Sequence, residues 1–192
     1  MLDIIKKRKS TRIIDPDRPV EEEKIVELLE AARWAPSCFN NQPWRFILSR
    51  NESLGRVKEC LAKGNSWAKR APLIITVTSK PELDCQIKDR DYYTLGIGLA
   101  VENLLLQGID MGLVMHPIAG FKEKKVKRVL NIPDPYRVHT LIIVGYPGYP
   151  EGLDEKIIQK EKAPRQRKPL QEITFSELWG NDLVLKDQNF FK

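Results

Sequence analysis

Cysteine, histidine and glycine-rich loops are scarce in this chain, and each shortage removes a class of chemistry. Its three cysteines, Cys38, Cys60 and Cys85, are odd in number and widely spaced. That argues against a disulfide framework and against a zinc site, since both need paired or clustered ligands. Two histidines, His116 and His139, supply a metal centre no better. There is no G-x-S-x-G elbow, no P-loop and no G-x-G-x-x-G opening a helix. The "GIGLA" at Gly96–Ala100 lies inside an apolar helical stretch, not at a strand-to-helix turn. No pair of carboxylates stands out as acid and base. No apolar run approaches the ~20 residues needed to span a bilayer. The N-terminus, "MLDIIKKRKSTR", has its charges after its apolar residues and no cleavage site, so the expected location is cytoplasmic, without a membrane partner. With side-chain chemistry this sparse, an enzyme of this sequence depends on a bound cofactor.

What is present is a core and an uneven charge. Of 192 residues, 42% are hydrophobic, enough for one domain with a sizeable interior. The formal charge of +6 gathers in three patches: Lys6–Arg12, Lys122–Arg128 and Lys160–Lys168. Such patches either coat a surface or converge on one phosphate, and composition does not choose between these.

Hydrophobic periodicity outlines the elements. Leu2, Ile4 and Ile5 give residues 2–8 an apolar face, and "DPDRP" at Asp15–Pro19 is a turn. Ile25, Leu28, Leu29 and Ala32 fall on one helical face behind Glu21–Glu23, and Pro36 ends that helix. Strands are expected at Trp44–Leu48, Leu73–Thr78, Leu113–Met115 and His139–Pro147, with helices at about 52–63 and 122–130. The stretch 91–112 is apolar nearly all round, which suits a core helix or a subunit interface. After Pro150 the chain turns polar and charged. Its last stretch, with Trp179, Phe175, Phe190 and Phe191, is expected to pack on a neighbour. The class is α+β, one domain with an extended arm.

Three segments carry the chemistry. "RKSTR" (Arg8–Arg12) places guanidinium and hydroxyl groups at the end of a short helix, which suits a phosphate and its polyol. "PRQRKPL" (Pro164–Leu170) is a second arginine pair near the other end. Between them "APSCFNNQPW" (Ala35–Trp44) crowds amides and a hydroxyl between two prolines, more polar groups than a turn needs.

In order and spacing these segments, with "PIAGF" (Pro117–Phe121), resemble the nitroreductase family of FMN-dependent oxidoreductases, over about residues 1–175. The resemblance implies a nitroreductase-like α+β fold: a central, mainly antiparallel sheet flanked by helices. It further implies an intertwined homodimer whose C-terminal arm, 176–192, packs on the partner subunit. Arg8, Lys9 and Ser10 would hold the FMN phosphate and ribityl chain, and Arg12 would lie near the N1–C2=O edge of the ring. Arg165 and Arg167 would return to the phosphate. Pro36, Ser37, Cys38 and Asn40 would reach the flavin from the partner subunit, and backbone donors at Ala119 and Gly120 would face N5. Many members have an acidic residue where this chain has Ala119, and serine is common where it has Cys38. That cysteine is either a thiol beside a redox ring or a small space-filling residue, the second being the plainer reading. Asn65 and Trp67 match loosely and are not counted in the site; His116 is a candidate donor beside Pro117.

The implied function is NAD(P)H oxidation by ping-pong hydride transfer through flavin N5. The acceptor would be a nitroaromatic, a quinone or a similar conjugated small molecule. The same fold also hosts reductive dehalogenation, flavin fragmentation and substrate oxidation. A basic nucleic-acid-binding module is the rival from another class; it leaves "PSCFNNQPW" unexplained, and no nucleic-acid partner is expected.

Overall fold

A computed structural model describes residues 1–183. The chain divides into two compact units, Met1–Glu161 and a second that begins at Lys162.

The first unit is built on a four-stranded sheet. Its strands are β1 (Arg45–Ser49), β2 (Leu73–Ser79), β5 (Val114–Ile118) and β6 (Arg137–Gly145), in the order β1-β2-β6-β5. Every neighbouring pair is antiparallel. A separate short hairpin joins β3 (Gln86–Ile87) to β4 (Arg90–Asp91). The helices are α1 (Asp3–Lys7), α2 (Glu22–Arg33), α3 (Asn51–Lys58), α4 (Tyr93–Asp110), α5 (Glu123–Val129) and α6 (Glu155–Lys162).

Successive strand side chains point to opposite faces, and here both faces are covered. Leu73, Ile75 and Val77 of β2 join Ile142, Val144 and Met115 in a core with Leu28 of α2 and Leu104 of α4. Ile74, Leu141, Ile143 and Val114 face the other way, onto Val57 of α3, Trp67 and Val126 of α5. That is why "LIITVT" and "HTLIIVG" are continuous apolar runs, not alternating ones, and every residue of β2 is buried. The apolar helix α4 buries Gly96, Ile97, Ala100, Leu104 and Leu105 and leaves Leu95 and Leu99 exposed. It is therefore a core helix with an apolar edge left over. No helix among the described residues is long and apolar enough to cross a membrane.

Two elements went unread in the sequence, the β3–β4 hairpin and α6. The helix expected over 52–63 ends at Lys58, and a 3-10 segment, Lys63–Arg70, follows it. In the second unit, Phe175 bridges Asp182 and its ring lies 4.7 Å from that of Trp179. Phe190 and Phe191 lie outside the described residues.

The N-terminal segment is held against the end of β6. Ile14, fully buried, bridges Pro147, and the Asp15 amide donates to the Tyr146 carbonyl at 2.9 Å. A Cβ on Gly148 would lie 2.4 Å from the Asp15 nitrogen. Only glycine allows this approach, because the obstructing atoms are backbone. Gly148→Ala should therefore destabilise the fold by roughly 1–3 kcal/mol, as overpacking does. Gly64→Ala, whose Cβ meets nothing within 4 Å, is the neutral comparison. Urea unfolding of both variants decides it, and equal stability would refute the close approach.

Candidate functional site

Helix α1 closes with the Arg8 amide donating to the Ile4 carbonyl at 2.9 Å, and the chain then runs irregularly to Ile14. The predicted residues Arg8, Lys9, Ser10 and Arg12 all lie on this half-buried run. Arg8 Nη1 reaches Ser10 Oγ at 3.5 Å. Glu161, near the end of α6, enters the same cluster. Its carboxylate accepts the Arg12 amide N–H at 3.1 Å and lies 3.0 Å from Lys9 Nζ and 3.8 Å from the Arg12 guanidinium. Lys9 Nζ also donates to the Glu161 carbonyl oxygen at 2.6 Å. No local pattern signals this, since Glu161 sits between two lysines and reads as a solvated face.

His116, on β5, is tied into the cluster from the sheet. Its Nδ1 lies 3.0 Å from the Thr11 carbonyl oxygen. A carbonyl only accepts, so Nδ1 carries the proton and Nε2 is left as an acceptor. The ring packs on Trp67 with centroids 4.6 Å apart, and the Arg12 guanidinium lies 6.0 Å from the Trp67 ring centre. Burial lowers the His116 pKa to about 4; Arg12 and Arg8 push the same way, against the Thr11 hydrogen bond and Glu161. At neutral pH the imidazole is uncharged.

After β5 the chain turns through Ala119 and Gly120. The Gly120 carbonyl accepts from the Ala62 amide at 2.9 Å and from Asn65 Nδ2 at 3.1 Å. A Cβ on Gly120 would lie 2.5 Å from Asn65 Nδ2, so this turn and the 3-10 segment are fitted closely. Asn65 and Trp67, which motif matching set aside, thus brace the predicted residues Gly120 and Arg12 from one short segment.

The amide-rich loop forms a second group. Asn40 and Asn41 donate their amides to the Ser37 and Cys38 carbonyls at 3.1 and 3.0 Å, and Ser37 Oγ accepts the Gln42 amide at 2.9 Å. Three of its residues have left-handed backbone: Phe39 (φ 47°), Asn40 (φ 58°) and Gln42 (φ 51°). Such a run of non-glycine residues persists only where neighbours hold it. A cavity of about 310 Å³ opens beside it, lined by Pro36, Ser37, Cys38, Tyr92, Leu95 and Leu99, among others.

The cysteine expectation needs correction. Cys38 is neither a free thiol nor a space-filler: it is joined to Cys85 by a disulfide, and Cys60 is the free, buried one. The partners are 47 residues apart in sequence, a pairing that no local spacing announces. The bond ties the loop to the segment before the β3–β4 hairpin, beside an Asn41 Nδ2 to Asp84 Oδ1 contact of 3.3 Å. Cys38, Asp84 and Cys85 lie close enough to suggest a metal cluster, but the two sulfurs are spent on each other. Arg165 and Arg167 belong to the second unit, where both are exposed and Arg167 Nη1 donates to the Gln166 carbonyl at 2.7 Å.

The chain is similar to proteins of a known family. The model of the nitroreductase family matches residues 5–63 and 49–146. A putative NADH dehydrogenase/NAD(P)H nitroreductase of Methanothermobacter thermautotrophicus is 31% identical over 153 residues, 77% of each chain. An iodotyrosine deiodinase of Thermotoga neapolitana is 31% identical over 176 residues, 79% of this chain and 90% of that protein. Among solved structures, an FMN-containing oxidoreductase superposes with a TM-score of 0.84 at 26% identity, covering 95% of this chain and 94% of the other.

Two measurements test the site's internal structure. The His116 pKa, about 4 when folded against the ordinary 6.5, means that the unfolded chain takes up the proton first. Stability is therefore full above the unfolded value and is lost as pH falls towards the folded one. His139 is shifted the same way by burial, so a variant is needed to separate them. Urea unfolding should show wild type losing about 2 kcal/mol more than His116→Gln between about pH 7 and about pH 5. Equal losses would show that His116 is not held neutral. For the disulfide, thiol titration in denaturant without reductant should find Cys60 alone. Cys85→Ser should lower stability by about 4 kcal/mol, the chain-entropy value for a loop of this length. Titration of all three thiols in the unreduced chain would contradict the bond.

Proposed function

As a member of the nitroreductase family this chain is an oxidoreductase, and we propose that it is an FMN-dependent enzyme that oxidises NADH or NADPH. Its electron acceptors would be nitroaromatics, quinones or similar conjugated small molecules. The observation that carries this reading is the convergence of Arg8, Lys9, Ser10 and Arg12 on one half-buried run. Trp67 and neutral His116 support that run from behind.

The donor set fits the cofactor. A phosphate needs cations and hydroxyls in the arrangement that Arg8, Lys9 and Ser10 supply. The arginine pair Arg165 and Arg167 is of the same chemistry, and in this proposal it joins that phosphate. Arg12 would serve the pyrimidine edge of the ring, where fixed positive charge stabilises developing negative charge. The exposed Ala119 and the Gly120 backbone would offer donors on the other side, without the acidic side chain common in the family. When bound, FMN supplies the two-electron chemistry that none of these side chains provides. The protein's share is to bind, orient and exclude water.

The domain at 1–175 and the arm at 176–192 belong to the same proposal, as does a homodimer. Leu95 and Leu99 are 58% and 38% exposed beside the Pro36–Cys38 cavity, an apolar edge that a second copy would cover. Pro36, Ser37, Cys38 and Asn40 would then complete the flavin site of the partner. A cytoplasmic location is part of the reading too. The thiol pool of that compartment would act on the Cys38–Cys85 bond.

One specific observation favours a second reading. The match to an iodotyrosine deiodinase covers 90% of that protein, so reductive removal of halogen on the same fold stays in view.

The first test is an absorbance spectrum of the purified protein, before and after NADH or NADPH under nitrogen. Oxidised-flavin bands that bleach are expected, and a halogenated tyrosine or a quinone added next separates the two acceptor classes. A colourless protein that also fails to take up added FMN would overturn the cofactor reading.

A further inference from the structure

We propose that Glu161 holds the anion position of the basic cluster until a phosphate-bearing ligand displaces it, and so makes the site selective for that phosphate. The inference rests on the flavin reading of the site and deepens it.

The geometry is that of a bound anion supplied by the chain itself. The Glu161 side chain is only 9% exposed, and it faces Lys9 Nζ at 3.0 Å and the Arg12 guanidinium at 3.8 Å. It also takes the Arg12 amide N–H at 3.1 Å, a backbone donor of the kind that cradles phosphate oxygens. Lys9 closes on both ends of the residue, reaching the Glu161 carbonyl at 2.6 Å as well. Two of the six residues assigned to the ligand's phosphate end and ring edge are thus engaged by a carboxylate.

The position of Glu161 runs against local preference. It lies in the last turn of α6, Glu155–Lys162, where the helix dipole favours cations and opposes a carboxylate. Nothing in the helix itself rewards an acid there; Lys9 and Arg12 do. Departures from a local rule are expected at functional or strained sites.

The competition has a clear direction. A carboxylate brings one negative charge, whereas a phosphate monoester brings about −1.5 to −2 and three acceptor oxygens. A phosphate can therefore take over Lys9 and the Arg12 backbone N–H, leaving the Arg12 guanidinium to the ring edge, and α6 releases its hold. A ligand without phosphate leaves Glu161 where it is. The carboxylate then offsets one of the cluster's positive charges in the absence of its ligand, which disfavours weaker anions.

The test uses flavin-stripped full-length protein, titrated with FMN and separately with riboflavin, and read by flavin fluorescence. Glu161→Gln keeps the size and removes the charge; Glu161→Ala removes both. Each should bind FMN about tenfold more tightly than wild type, with a faster association rate. That factor is what losing one charge-assisted competitor amounts to. Riboflavin affinity should be unchanged in both variants, and inorganic phosphate should compete with FMN more effectively in the variants than in wild type. FMN affinity that is unchanged or weaker in both variants, with wild type binding FMN well, would overturn the inference and make Glu161 an orienting residue for Lys9 and Arg12. Tightening of FMN and riboflavin alike would also overturn it, because the effect would not be at the phosphate. Failure of wild type and both variants to bind either flavin would bring down the cofactor reading itself, and this inference with it.

Discussion

Where Ile13–Asp15 passes Gly145–Gly148, the two stretches lie so close that Gly145 and Gly148 have no room for a Cβ. A Cβ on Gly145 would fall 2.6 Å from Ile14 Cγ2, and one on Gly148 would meet backbone at 2.4 Å. This contact decides where the basic run goes. Arg8, Lys9, Ser10 and Arg12 have no strand or helix of their own to place them, since α1 stops at Lys7. They are positioned because the residues just after them are fastened to the end of a buried strand, and because His116 on the next strand takes hold of the Thr11 carbonyl. A short, polar, irregular segment has thereby been given the rigidity of the sheet, which is what a binding site needs from its scaffold.

The electrostatics of the cluster follow from that placement. Several cations brought together beside a buried sheet repel one another, and each additional positive charge there would raise the cost. His116 answers this by staying neutral, and the reason is burial first and the neighbouring arginines second. Glu161 answers it by direct pairing. The net result is a site whose positive charge is partly offset by one carboxylate. Trp67 fits the same logic, since an indole face beside Arg12 and His116 gives both side chains an apolar wall without adding charge.

Much of the fold was legible because both faces of the sheet are buried. Continuous runs such as "LIITVT" and "HTLIIVG" could be strands only if covered on both sides, and β2 and β6 are. The helical face of Ile25, Leu28 and Ala32 was equally plain, and all three are buried. What escaped were elements made by tertiary contact. The β3–β4 hairpin, "QIKDR" and its neighbour Asp91, has charges where strands usually carry branched apolar residues, and both of its strands are exposed. Helix α6 has no buried residue and so showed no strong apolar face. In the candidate site, the motif order pointed to Arg8, Lys9, Ser10 and Arg12, whose chemistry is written in their side chains. Glu161, Trp67 and the Cys38–Cys85 pair act only through neighbours distant in sequence, 152 residues away for the Lys9–Glu161 contact.

The amides of "APSCFNNQPW" have a more economical explanation than their number suggested. Polar groups of the loop are turned on the loop itself, with Ser37 taking the Gln42 amide and Gln42 Nε2 reaching the Asn40 carbonyl at 3.1 Å, while Asn41 reaches out to Asp84. These bonds, with the disulfide, stabilise three left-handed residues that would otherwise relax. Gly96 of α4 completes the support, because a Cβ there would press on Pro43 at 3.3 Å. The loop is thus built to keep one shape in advance of any ligand, and preorganisation of that kind is where binding sites save affinity. What it leaves facing outward is Pro36, Phe39 and Asn40, with Leu95 and Leu99 alongside. An apolar and hydrogen-bonding surface held this firmly suits a flat ring and a second subunit together, and a turn alone would not require it.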